Sequence, residues 1–159
     1  MPIEDPLTVL LGPEIDTIPP PPPAGGNMLS VIWWSLKMRY WAFKYDEYDG
    51  SDPDIRMFVL YFDPKIHKQL DNSLGLEKGL IGVVNAFADI EMEEKNNVVL
   101  AHEILHTLGA TDKYDLKTSQ PLYPDGYADP EKEPIFPQEY AEIMAGSIPI
   151  SKTEMAMPE

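Results

Sequence analysis

Val98–Asp115 reads V-V-L-A-H-E-I-L-H-T-L-G-A-T-D-K-Y-D, and its spacing decides how the rest of the chain is read. Val98, Val99, Leu100, Ile104, Leu105 and Leu108 supply the apolar positions of a helix, with Asn96 or Asn97 as its N-cap. Residues four apart on an α-helix share a face, about 6 Å apart along the axis. His102 and His106 can therefore aim both imidazoles at one cation. Glu103 stands roughly 100° further round the helix, better placed to touch a bound water than the ion, which is where a general base belongs. Gly109 ends the helix, because glycine adopts the left-handed cap conformation without penalty. The reversal it permits can return Asp112 to the same ion as third ligand, leaving a fourth position for water, as in catalytic zinc sites.

A helix carrying two solvated histidines is the plainer alternative. Against it, two of the three histidines in the chain fall in this pattern, within an apolar helix, and the glycine and aspartate follow at the right distances.

The stretch H-E-I-L-H-T-L-G-A-T-D resembles the extended zinc signature of the metzincin metallopeptidases, H-E-x-x-H-x-x-G-x-x-H/D, in the aspartate form of the snapalysin-type enzymes. The resemblance covers 98–115, together with A-E-I-M-A-G at 141–146. It implies a zincin-like α+β fold: a small mixed sheet, a long backing helix, an active-site helix and an irregular C-terminal part with a Met-turn. Met144 is the counterpart of the methionine that lies beneath the metal in that family. The tyrosine many members carry two residues later is replaced by Gly146. The strand ahead of the zinc helix is expected at the edge of the sheet, lining the cleft. There the backbone of Gly82, Val83, Val84, Asn85, Ala86 and Phe87 would grip an extended peptide by β-augmentation.

At 159 residues the chain is long enough for one domain with a core of its own. Twelve Lys and Arg against 27 Asp and Glu give a net charge of −15. So acidic a chain offers no electrostatic case for nucleic acid or an anionic membrane. It has no cysteine and thus no disulfide framework. No apolar run approaches membrane-spanning length.

Residues 1–26 read as a disordered tail or a stalk stiffened by Pro19–Pro23, and 27–159 as the catalytic domain. Asn27 caps a long helix to about Tyr45, whose stripe of Leu29, Ile32, Trp33, Leu36, Tyr40 and Phe43 reads as core packing. The acidic turn Asp46–Asp54 fails the EF-hand pattern, with Tyr48 and Met57 where ligands are needed. Ile55–Phe62 reads as a buried strand ended by Asp63-Pro64, and Leu80–Phe87 as a second strand. His67, with lysines on either side, reads as surface.

Leu116–Gln138 is a long irregular loop expected at the lower rim of the cleft. Tyr123 and Tyr127 within it, and Tyr140 just beyond, are candidates for a transition-state hydrogen bond. Asp125, Asp129, Glu131 and Glu133 are acidic enough to bind calcium, though an acidic loop is usually only solvated. Ser151 and Glu154 form a capping box for a short terminal helix that Pro158 stops.

The expected function is that of a monomeric zinc-dependent endopeptidase acting on peptides or proteins. His102, His106 and Asp112 bind Zn²⁺ and Glu103 serves as general base. An extracytoplasmic setting, periplasmic, secreted or stalk-tethered, is favoured over a cytoplasmic one because the resembled family is mostly exported. Three alternatives stand beside this: a non-haem Fe(II) protein using the same two-His-one-carboxylate set, a non-proteolytic zinc scaffold, and a gluzincin-like site with Glu139 or Glu142 as third ligand.

Overall fold

The computed structural model describes residues 8–23, 27–77 and 79–158. The expected leader at 1–26 lies partly outside these residues. Two compact units, Met1–Pro53 and Asp54–Glu159, divide the chain.

The first unit is built on α1, Met28–Tyr45. Asn27 starts it by accepting a hydrogen bond from the Leu29 N–H at 3.0 Å, and Asp46 ends it. Trp34, Met38, Trp41 and Ala42 are its buried side chains, and the Trp34 indole donates to the Pro20 carbonyl at 2.7 Å. The part of the proline run at Pro20 is thus tied to the helix. The stripe expected in the core is on the other side: Leu29, Ile32, Trp33, Leu36, Tyr40 and Phe43 are all exposed. Periodicity correctly locates a helix here, but α1 is apolar on two faces, and the periodicity of one cannot say which is covered.

The second unit is a small mixed α+β body. Strands β1 (Arg56–Phe62), β2 (Leu74–Leu76) and β3 (Ile81–Phe87) form one sheet in the order β1-β3-β2. β1 runs parallel to β3, pairing Arg56 with Ile81 through to Phe62 with Phe87. β2 runs antiparallel, pairing Leu74 with Val83 and Leu76 with Ile81. β3 is therefore central, not the edge strand expected from the resemblance. Its largely apolar run, broken only by Asn85, suits that place, since a strand covered on both faces needs no polar alternation. Ile81, Val83, Val84 and Ala86 are all buried, whereas β1 is only half-buried.

After β3 a short 3₁₀ turn, Ile90–Met92, is capped by Asp89 and runs into α2, Glu93–Thr107. The helix begins three residues before the expected cap at Asn96. The Asn96 amide has another use: its Oδ1 accepts from the Phe87 N–H at 3.0 Å and its Nδ2 donates to the Phe87 carbonyl at 2.9 Å. It thereby satisfies both main-chain groups at the end of β3, as a neighbouring strand would. α2 packs across β3 and β2.

The remainder is irregular, as expected for 116–138, with order imposed by side chains. Buried Gln138 accepts from the Asp129 N–H and donates to the Asp129 and Ile135 carbonyls, each at 2.8 Å. The terminal helix expected after Ser151 is replaced by a ribbon of β4 (Ile148–Pro149) and β5 (Met155–Ala156). Ser151 does cap, but its hydroxyl accepts from the Thr153 and Glu154 N–H groups to close the ribbon's turn. With Pro158 so near, pairing with Ile148 offers these residues more hydrogen bonds than a helix too short to close its own.

Candidate metal centre

The reversal after α2 sets up the site. Gly109 has φ +91° and donates to the His106 carbonyl at 3.1 Å, while the Ala110 N–H donates to Leu105 at 3.0 Å. These two bonds make a Schellman cap, for which glycine at this position is the natural residue. The chain then returns so that His102 Nε2, His106 Nε2 and Asp112 Oδ1 converge. The nitrogens are 3.0 Å apart, and Asp112 Oδ1 lies 3.4 Å from the first and 3.2 Å from the second.

Both imidazoles are fixed from behind. His102 Nδ1 faces the Ile143 carbonyl and His106 Nδ1 the Ala110 carbonyl, each at 2.9 Å. A carbonyl only accepts, so each Nδ1 carries a proton, and in the neutral ring, the form a metal binds, each Nε2 presents a lone pair. In that form two lone pairs and a carboxylate oxygen point at one another. Asp112 Oδ1 is buried and has no hydrogen-bond partner of its own. Such an arrangement is repulsive unless a cation lies among the three. A tetrahedral zinc site with bonds near 2.0–2.1 Å has ligand–ligand edges of about 3.3 Å, and the observed triangle matches them. His102, His106 and Asp112 can hold a metal ion, and they are the sole such group among the described residues. The acidic residues of the 116–138 loop form none there.

Glu103 sits beside this triangle and is 7% exposed. Its Oε2 accepts from the Gly75 N–H at 2.6 Å. Burial raises its pKa above 4.5, opposed by His102, the Gly75 N–H and His106, while Asp112 pushes the same way as burial. Gly75 is where β2 comes nearest to α2. A Cβ there would collide with the Glu103 carbonyl oxygen and crowd His106 Cβ at 3.2 Å, so only glycine allows the approach.

Tyr114 raises a phenol beside the third ligand. Burial lifts its pKa most, and the Asp112 charge, the hydrogen bond to Asp112 and the Glu103 charge lift it further. This is the tyrosine that belongs to the site. Tyr123 instead stacks edge-on against Tyr127 at 5.3 Å, Tyr127 packs on Phe136, and Tyr140 lies 72% exposed. Tyr114 stands two residues past Asp112, inside the stretch that carries the motif, and that adjacency was the available signal.

Met144 is 3% exposed in a tight turn at 143–145. The Ala145 and Gly146 N–H groups both donate to the Glu142 carbonyl, and the Glu142 carboxylate accepts from the Met144 N–H at 2.8 Å. The turn touches the site twice: Ile143 orients His102, and the Met144 carbonyl accepts from the Lys113 N–H, next to Asp112, at 2.9 Å. Glu142 is thus engaged within its own turn, and Glu139 pairs with Lys132 at 3.0 Å. Neither belongs to the ligand triangle. β3 contributes no free backbone edge. Its Asn85 N–H donates to the Ser73 hydroxyl, its Phe87 is held by Asn96, and Ile81–Val83 pair with β2.

No protein-family model, curated protein or solved structure matches this chain. The chemistry of the site therefore rests on its own geometry.

Proposed function

We propose that this chain is a zinc-dependent endopeptidase of zincin type. The observation that carries the reading is the convergence of His102, His106 and Asp112 with a buried carboxylate, Glu103, at its side. Zn²⁺ held there would lower the pKa of a bound water toward about 7 and polarise the scissile carbonyl. Glu103 accepts the water's proton and delivers it to the leaving amine nitrogen. The Gly75 N–H fixes one oxygen of that carboxylate, so the other is presented in a constant direction. Tyr114 holds the Asp112 carboxylate in place and keeps a hydroxyl close to the reacting centre. Met144, with Ile143, is the proposed counterpart of the Met-turn.

The strand edge nearest this helix is β2, Leu74–Leu76, so the substrate-backbone role expected of Gly82–Phe87 passes to it. Zinc is favoured over iron because an Fe(II) site of the same ligands leaves a buried Glu103 without a task. Elemental analysis of protein purified without added metal separates the two. The test of function is a peptide-library cleavage profile, with and without chelator, for the wild type and Glu103→Gln. Chelator-sensitive cleavage lost in the variant supports the reading. Equal background cleavage by both makes the chain a zinc scaffold.

A further inference from the structure

We propose that the exposed face of α1 is a docking surface for an anionic lipid membrane, on which the helix lies flat. At about 100° per residue, Leu29, Ile32, Trp33, Leu36, Tyr40 and Phe43 fall within one arc of roughly 100°. Trp34, Met38, Trp41 and Ala42 occupy an arc of similar width on the opposite side, and these are the buried ones. A helix apolar on both faces is stable only when both are covered. One is covered by the fold. On the other, Trp33 is 61%, Tyr40 68% and Phe43 88% exposed. Aromatic side chains carry about 150–250 Å² each, and monomeric proteins rarely leave apolar patches beyond about 300–600 Å². These three rings reach that size before the aliphatic residues are added.

Charge identifies the occupant. α1 contains no acidic residue, in a chain with more than twice as many acids as bases. Its basic residues sit on the borders between the two arcs: Lys37 and Lys44 on one side, Arg39 on the other. Lys37 lies over the Trp33 ring at 5.6 Å and Lys44 over the Tyr45 ring at 4.8 Å. Aromatic and aliphatic groups that enter the interface, with long cationic side chains along the rim to reach headgroup phosphates, are what a helix lying in a membrane surface needs. A second copy supplies no such counter-charge along the helix, since its α1 is equally free of acids. The net charge of −15 argues against membrane attraction for the chain as a whole. Within α1 itself Lys37, Arg39 and Lys44 are the charged residues and none is acidic, and the acidic turn begins only at its C-cap, Asp46. Within a Debye length of about 8 Å the middle of the helix therefore meets the surface as a basic one.

The test is co-sedimentation of the full chain with vesicles of phosphatidylcholine alone or mixed with phosphatidylglycerol. Binding to the mixed vesicles is expected, with a blue shift in tryptophan emission from Trp33. Phe43→Glu, at an exposed position and with the helix checked by circular dichroism, should weaken it roughly tenfold or more. Lys37→Glu with Lys44→Glu should remove the preference for anionic over neutral vesicles. Failure to bind either vesicle overturns the proposal. So does binding with no anionic preference, or a concentration-dependent dimer that Phe43→Glu disrupts in protein that ignores vesicles.

Discussion

The two helices of this protein use burial in opposite ways. α1 hides Trp34, Met38 and Trp41 and leaves a second apolar face in the open. α2 leaves Val98 and Val99 exposed, at 42% and 37%, and hides Glu103 and Thr107. Burying a carboxylate costs free energy unless it gains partners. In α2 the partners are the Gly75 N–H and the imidazoles around it; α1 has no comparable group to protect. On the proposed function, polar burial marks the helix of the candidate metal centre, and the broad exposed apolar face marks the helix proposed to meet a membrane.

The largest effect expected from this contrast is on catalysis. Glu103→Gln keeps the shape and the Gly75 contact but removes the base, so kcat/KM should fall by about 10²–10⁴-fold with zinc content unchanged. A variant that retains activity would reduce the buried glutamate to packing. The two faces of α1 give the next test. Met38→Ala should lower unfolding free energy by about 2–5 kcal/mol, whereas Phe43→Ser should stay within about 0.5 kcal/mol. Equal losses in denaturant melts would mean that the outer face is packed after all.

A smaller effect is expected where the site leans on the sheet. Gly75→Ala places a methyl against the Glu103 carbonyl, and overpacking of this kind costs about 1–3 kcal/mol. Weaker zinc binding should accompany it, because His106 Cβ is crowded too. Undisturbed zinc affinity would show that β2 does not position the ligands. The smallest effect concerns pH. In metal-free protein the folded-state pKa of Glu103 lies above 4.5, raised mainly by burial. Folding then favours the protonated form, a contribution complete below 4.5 and lost as pH rises through the raised value. Between acid and neutral pH the wild type should therefore lose stability relative to Glu103→Gln. Melts of the two in chelator check this, and parallel curves would contradict it.

Much of the site was legible because it is local. His102, Glu103, His106 and Gly109 are fixed by helical spacing and a helix-ending glycine, and one reversal suffices to reach Asp112. What the sequence could not supply are partners contributed by other elements: Gly75 for Glu103, Ile143 for His102, Asn96 for the end of β3. Strand existence was equally readable from apolar runs at 55–62 and 80–87. Strand order was not, since it depends on β2, a three-residue strand too short to register as a pattern. Ser151 shows a further limit. The same side-chain cap serves a helix or a ribbon turn, and pairing with Ile148–Pro149 decides between them.

Zinc titration of the metal-free chain by calorimetry, with His106→Ala and Asp112→Ala alongside, tests the central claim most directly. One ion per wild-type chain, with binding abolished by the first variant and strongly weakened by the second, is the predicted result. A wild type that takes up no zinc, or an Asp112→Ala variant that binds it as well as the wild type, would contradict the account.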